Sequence, residues 1–280
     1  MSRLAYLQPA PDYHLPEIAS IFDELSWWSA RFGALLLDNI PMTHGKRILD
    51  LACGAGFPLF ELAQSGGAGC HVVGLDLWRA ALDRANQKQR IYGLSNIGLV
   101  EGDGALQPFA ERTFDLIVSN LGVNNFAVPA AAIAECFRVT KPGGSIALAT
   151  NVTGHYREFY EVYRAVLRET GRAAQLTWLE AQESHRGSKA TLRAYLEDAG
   201  FRVVRTLDEQ FTQRFADGSA LLNHWLTREG FIEGWRGVVE PAAENEVFAL
   251  IEQRLNAVAA REGELRMSVP MAYIEAIRAE

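Results

Sequence analysis

Three aspartates at the ends of apolar runs are the residues of this chain best placed to bind a polar ligand. Asp50 lies in Ile48-Leu49-Asp50-Leu51, which breaks into Ala52-Cys53-Gly54-Ala55-Gly56-Phe57-Pro58 before apolar residues at helical spacing resume. Gly54 and Gly56 lack a Cβ, so the backbone there can take positive φ and approach a bound molecule. Pro58 suits the first turn of a following helix, whose unpaired N–H groups can receive an anionic group. Asp76 ends His71-Val72-Val73-Gly74-Leu75-Asp76, twenty residues after Gly56. An acid at the tip of a second strand is suited to the two ribose hydroxyls of an adenosine. A nicotinamide fingerprint would carry a third glycine near position 59, and that residue is Leu59. Asp103 follows a third apolar run, Ile97 to Val100, in Glu101-Gly102-Asp103-Gly104. Each acid also has a plain structural use: Asp50 can brace the glycine loop, and Asp76 can be a solvated strand end.

The elements that must position these groups follow in order. A fourth strand reads Phe114-Asp115-Leu116-Ile117-Val118-Ser119-Asn120, with Asp115 a turn or sheet-edge residue. Lys141-Pro142-Gly143-Gly144 is expected to end a helix and reverse the chain, ahead of a fifth strand from Ser145 to Thr150. The alternation of strands and helices through Thr150 predicts an α/β fold. It is a doubly wound, seven-stranded, mainly parallel sheet of Rossmann-like type, with an antiparallel last strand and a helical cap.

This succession, over about residues 46–151, resembles the class I S-adenosylmethionine-dependent methyltransferases, nearest their small-molecule, ubiquinone-biosynthesis-like branch. The branch pattern GDxxxLPF…FDxVxxN…KPGG is met in order by Gly102-Asp103, Pro108-Phe109, Phe114-Asp115, Asn120 and Lys141 to Gly144. The resemblance implies S-adenosylmethionine as cofactor. It assigns Asp50, Gly54 and Gly56 to the methionine part and Asp76 to the ribose. Leu77 would lie beside the adenine, Asp103 would accept its amino group, and the Gly104 N–H would serve a ring nitrogen. Asn120 would sit where the fourth strand opens onto the sulfonium. Two departures stand out: Gly104 replaces a common alanine, and Gln107 stands where leucine is usual.

Composition limits the alternatives. A net charge of −7 over 280 residues disfavours a general nucleic-acid binder, so no nucleic-acid partner is expected. Cys53, Cys70 and Cys136 show no metal or disulfide spacing, and no metal is expected. No apolar run is long enough to cross a bilayer, and the N-terminus lacks a signal-peptide layout. A cytoplasmic protein with no membrane partner is the expectation; the oligomeric state is left open.

Outside the core, Ile18, Phe22 and Leu25, then Trp28, Phe32, Leu35 and Leu36, recur at helical spacing. In the resembling family such a segment folds over the cofactor, making Trp27 and Trp28 lid candidates. Helices are expected over His155–Thr170 and Ser188–Ala199, and a sixth strand over Phe201–Leu207. Further helices are expected near Ser219–Arg228 and Glu244–Arg261, and a final strand over Val269–Ile277. The division expected is a lid at 1–45, a cofactor core at 46–207, a cap insertion at 208–264 and the final strand at 265–280.

In-line methyl transfer needs alignment within about 3–3.5 Å and exclusion of water more than a strong base, so no catalytic residue is assigned. Asn124, Asn125, His155, Tyr156 and His224 are candidate substrate contacts. Ser119-Asn120-Leu121-Gly122 is not the Asn-Pro-Pro-aromatic sequence of many amide and adenine methylases, which speaks against a DNA base or protein glutamine acceptor. The leading expectation is methyl transfer to a small organic acceptor. RNA or protein methylation, a nicotinamide-dependent oxidoreductase and a non-catalytic cofactor-binding module remain the competing classes.

Overall fold

Apolar runs without alternation build strands buried on both faces, as parallel sheets require. In the computed structural model, which describes residues 4–8, 12–24, 26–42 and 44–280, these runs are β1 (Arg47–Leu51), β2 (His71–Asp76), β3 (Ile97–Glu101), β4 (Phe114–Asn120) and β5 (Thr140–Asn151). Ile48, Leu49, Val72, Leu75, Ile117 and Val118 are all buried. With β6 (Arg202–Phe215) and β7 (Leu265–Ile277) they form a seven-stranded sheet in the order β3-β2-β1-β4-β5-β7-β6. Strands β1 to β5 pair in parallel, and β7 runs antiparallel to β5.

The chain divides into two compact units. The sheet unit holds residues 12–151, 187–209 and 271–280. Its helices are α1 (Pro16–Glu24), α2 (Ser26–Leu37), α3 (Leu59–Gly66), α4 (Arg79–Tyr92), α5 (Pro129–Val139) and, after residues 152–186 of the second unit, α8 (Lys189–Asp198). Ser188 caps α8 by accepting the Thr191 N–H at 3.1 Å. Phe32, Leu35 and Leu36 of α2 are buried, as their spacing predicts, whereas Leu25 lies outside the described residues.

The second unit gathers residues 4–8, 152–186 and 210–270. It contains α6 (Arg157–Glu169), α7 (Leu176–Ser184), α9 (Gly218–Asn223), α10 (Trp225–Gly230), α11 (Ile232–Arg236) and α12 (Glu244–Glu262). The α6 face predicted from sequence, with Phe159, Tyr163, Val166 and Leu167, is buried. Trp235 of α11 stacks on Phe159 with ring centroids 3.8 Å apart, and Tyr163 meets Phe248 of α12. Among the described residues no helix is long and apolar enough to cross a membrane.

Three local expectations change. Lys141 to Gly144 does not reverse the chain. Helix α5 ends at Val139 and β5 begins at Thr140, so these residues form a bulge, where the register moves from Phe114↔Thr140 to Leu116↔Ser145. Asp115 holds the bulge in place, because Lys141 Nζ reaches both of its oxygens at 2.9 Å while the Arg47 N–H donates to Oδ2 at 2.8 Å. Strand β6 continues well past Leu207, because Phe211, Gln213 and Phe215 alternate as buried residues with exposed ones. Helix α7 was not expected; its Trp178 is exposed and only Leu179 is buried.

Candidate active site

The strand order brings the ends of β2, β1 and β4 side by side. Asp50 pairs with Gly74 on one side and Val118 on the other, Asp76 closes β2 opposite Glu101, and Asn120 closes β4 opposite Ala149. Ligands of open α/β sheets bind at such carboxyl ends. The turn after β1 is held by the Leu75 carbonyl, which accepts the Ala52 N–H at 2.8 Å and the Cys53 N–H at 3.2 Å. Ala52 itself sits at φ 62° and Leu121, just after Asn120, at φ 65°. Two non-glycine residues in left-handed backbone at one sheet edge are strain of the kind that collects at functional sites.

Asp76 ties the loop to the second strand. Its Oδ2 accepts the Gly54 N–H and its Oδ1 the Trp78 N–H, each at 2.7 Å. Burial raises its pKa, and the Trp78, Gly54 and Leu77 N–H groups pull the other way. Each carboxylate oxygen has a second acceptor site, so both can also receive hydroxyls. Gly56, at φ 104°, has no room for a side chain: a Cβ would stand 2.0 Å from the Phe60 ring. At Gly54, φ 52°, the space is open. Asp50 is wholly buried and neither oxygen has a hydrogen-bond partner. Burial pushes its pKa well up and repulsion from Asp76 adds to this; the Leu59 N–H at the start of α3, close by though outside hydrogen-bonding geometry, opposes it.

The other predicted positions are placed as follows. Leu77 is 66 % exposed. Asp103 Oδ1 accepts the Ala105 N–H at 2.8 Å, and Gly104 is buried below it. Gln107, the departure from leucine, braces this turn: its Nε2 donates to the Gly104 carbonyl at 3.0 Å and to Cys136 Sγ at 3.5 Å. Asn120 donates to the Ser29 carbonyl of α2 at 3.2 Å, while its buried Oδ1 is unpartnered. Asn124 is committed to β5, donating to Thr150 Oγ1, the Asn151 carbonyl and Asn151 Oδ1. Asn125 caps back to the Leu121 carbonyl. Trp27 is exposed, and Trp28 packs on Phe32 at 5.1 Å. His155, Tyr156 and His224 belong to the second unit.

Sequence reasoning missed the contacts that fix the N-terminal helices to the glycine loop. The Phe57 ring fills the space a Cβ of Gly33 in α2 would take. Ala19 of α1 packs with Ala80 and Ala81 of α4, and Ala55 and Trp78 lie against them. Trp78 Nε1 donates to the Tyr13 carbonyl at 2.6 Å, and its ring meets Tyr13 and Phe22 edge-on. Asp23 pairs with Arg84 at 3.0 Å and Lys88 at 2.5 Å. A tryptophan two places after the strand-end acid was the available signal.

Unpartnered Asp50 and Asn120 oxygens, an open glycine turn and a strand-end acid with spare acceptor sites are what a charged adenosine derivative requires, so the residues present fit the cofactor. Residues 42–200 match the model of a methyltransferase domain. A demethylmenaquinone methyltransferase of Renibacterium salmoninarum is 31% identical over 254 residues, covering 83% of this chain and 99% of that protein. One of Lactococcus lactis is 28% identical, covering 66% and 74%. Among solved structures, a Bacillus halodurans chain aligns with a TM-score of 0.61 at 20% identity, over 89% of this chain and 99% of that one. The [4+2]-cyclase SpnF aligns at 0.55 and 17% identity, over 89% and 81%; likenesses this distant speak for the fold alone. The loop, the strand-end acids and the span of the family match agree: the chain belongs to the methyltransferase domain family and is an S-adenosylmethionine-dependent methyltransferase.

Proposed function

We propose that this enzyme methylates a small aromatic acceptor of the demethylmenaquinone kind. The observation that carries this reading is the likeness to the Renibacterium enzyme, which runs through 99% of that protein's length and so extends beyond the cofactor core. The aromatic interior of the second unit supports it, with His155, Tyr156, Phe159, Phe231 and Trp235 in mutual ring contact. Mostly apolar walls with a few polar groups are the usual make-up of a small-molecule site.

In this reading Asp50, Gly54 and Gly56 hold the methionine part and Asp76 takes the ribose hydroxyls. Leu77 covers one face of the adenine, Asp103 and the Gly104 N–H read its edge, and the Asn120 Oδ1 faces the sulfonium. Bound there, S-adenosylmethionine supplies an electrophilic methyl group. The α1–α2 segment, pinned by Trp78 and Asp23, acts as a lid that excludes water; residues 208–264 act as the acceptor cap.

Incubation with tritium-labelled S-adenosylmethionine and a reduced demethylmenaquinone tests the acceptor. Label is expected in the quinol. Binding of S-adenosylhomocysteine without transfer of label to any quinol would overturn the reading.

A further inference from the structure

Among the described residues, the second unit buries a cation without an anion. Arg186 is 8% exposed, and among the described residues no carboxylate pairs with it. Its guanidinium lies over the Phe231 ring, 4.7 Å from the centroid, with the Tyr160 hydroxyl beside it. Glu183, the acid closest in sequence, is taken by Arg164. Burial of an unpaired guanidinium is costly, because a desolvated charge needs a partner, and a ring face offsets only part of that cost.

The groups around Arg186 do not neutralise it. His155 stacks on Tyr156 at 4.1 Å and tilts against Phe231 at 5.0 Å. Burial, with Arg186 adding to it, holds the His155 pKa well below the usual histidine value, so the imidazole is neutral. The Tyr156 hydroxyl donates to Gln213 Oε1. Gln213 Nε2, on a fully buried side chain, is without an acceptor. The cluster therefore offers a full positive charge and an unused amide donor among aromatic rings and, among the described residues, no matching negative group.

We propose that this cluster binds an aromatic oxyanion, a phenolate or an aryl carboxylate, with its charged oxygen on Arg186 and its ring among His155, Tyr156 and Phe231. A guanidinium recognises such an oxygen by charge-assisted hydrogen bonds. The rings select a flat conjugated body over a bare inorganic anion. This deepens the acceptor reading above and rests on it for the site's use in methylation: an ionised ring oxygen enriches the ring in electrons, which is what a carbon or oxygen acceptor of a methyl cation equivalent needs.

The test reads binding alone, so its failure is separate from failure of the acceptor assignment. The full chain is titrated with 2-naphthoate and its neutral isostere 2-naphthamide, with 4-nitrophenol followed by its phenolate absorbance, and with inorganic phosphate. The wild-type protein should bind the naphthoate roughly tenfold or more tighter than the amide, as for a hydrogen bond to a charged group. Bound 4-nitrophenol should be more ionised than the free phenol at the same pH; preference for one of the two probes identifies the oxyanion. Arg186→Met should remove both effects, and Arg186→Lys should keep part of them. Equal binding of naphthoate and naphthamide by wild-type protein, with an unshifted phenol spectrum, overturns the proposal even if Arg186→Met does not fold. Displacement of naphthoate by phosphate at equal concentration also overturns it, marking a bare anion site.

Discussion

The buried Asp50 carboxyl on β1 lies within electrostatic reach of Asp76 at the tip of β2, and the Asp76 charge pushes its pKa further in the direction burial already takes it. The strand-end acid thus opposes ionisation of its buried neighbour on the adjacent strand.

The pH dependence of stability should report this pair. An acid whose folded pKa exceeds its unfolded value costs nothing below about pH 3.9, where both states are protonated. Its cost grows as pH rises from there to the folded pKa and is constant above it. Asp50→Asn removes that cost. The variant should therefore unfold at higher temperature than wild type at pH 8, with the difference shrinking towards pH 4. Parallel melting curves at both pH values would contradict it.

Asp76→Ala removes the acceptor for two backbone N–H groups as well as the proposed ribose contact. Affinity for S-adenosylhomocysteine should fall by about 1.5–3 kcal/mol, read by calorimetry. Unchanged affinity would remove Asp76 from the cofactor site.

Asp103→Ala should weaken the same binding less, by about 1 kcal/mol, because this side chain is exposed and keeps one oxygen on the Ala105 N–H. A loss of turnover with affinity intact would show that the adenine is misplaced.

Trp78→Ala deletes two edge-on ring contacts, worth about 0.5–1.5 kcal/mol each, and the bond to Tyr13. Residues 12–24 should be cleaved faster by added protease, with protection regained on binding S-adenosylhomocysteine. Cleavage at the wild-type rate would refute a lid anchored at Trp78.

What was legible in the sequence was whatever chain order itself enforces. A glycine turn after β1 and an acid after β2 are tied to strand ends, so Asp50, Gly54, Gly56 and Asp76 could be placed before their neighbours were known. The lid's anchors were not legible, because the Phe57 contact with Gly33 and the Trp78 contact with Tyr13 depend on which distant segments meet. The far end of strand β6 carries little signal in the sequence, because Gln213 takes a buried position that an apolar residue would advertise. Arg186 escaped notice for the same reason: in Ser184-His185-Arg186-Gly187 an arginine reads as solvated, and only its burial against Phe231 gives it chemistry.

Strand β7 also governs when the protein can fold. It lies between β5 and β6 in the sheet, and Met271–Ile277 supplies the pairing for Ser145–Asn151. During synthesis β5 is complete long before that partner exists. Its outer row of N–H and C=O groups is then an open edge of the kind that recruits other chains. The nascent enzyme is therefore most exposed to misassembly while residues 152–270 are being made, and a chaperone that shields β5 in that interval would raise its yield without touching the finished fold.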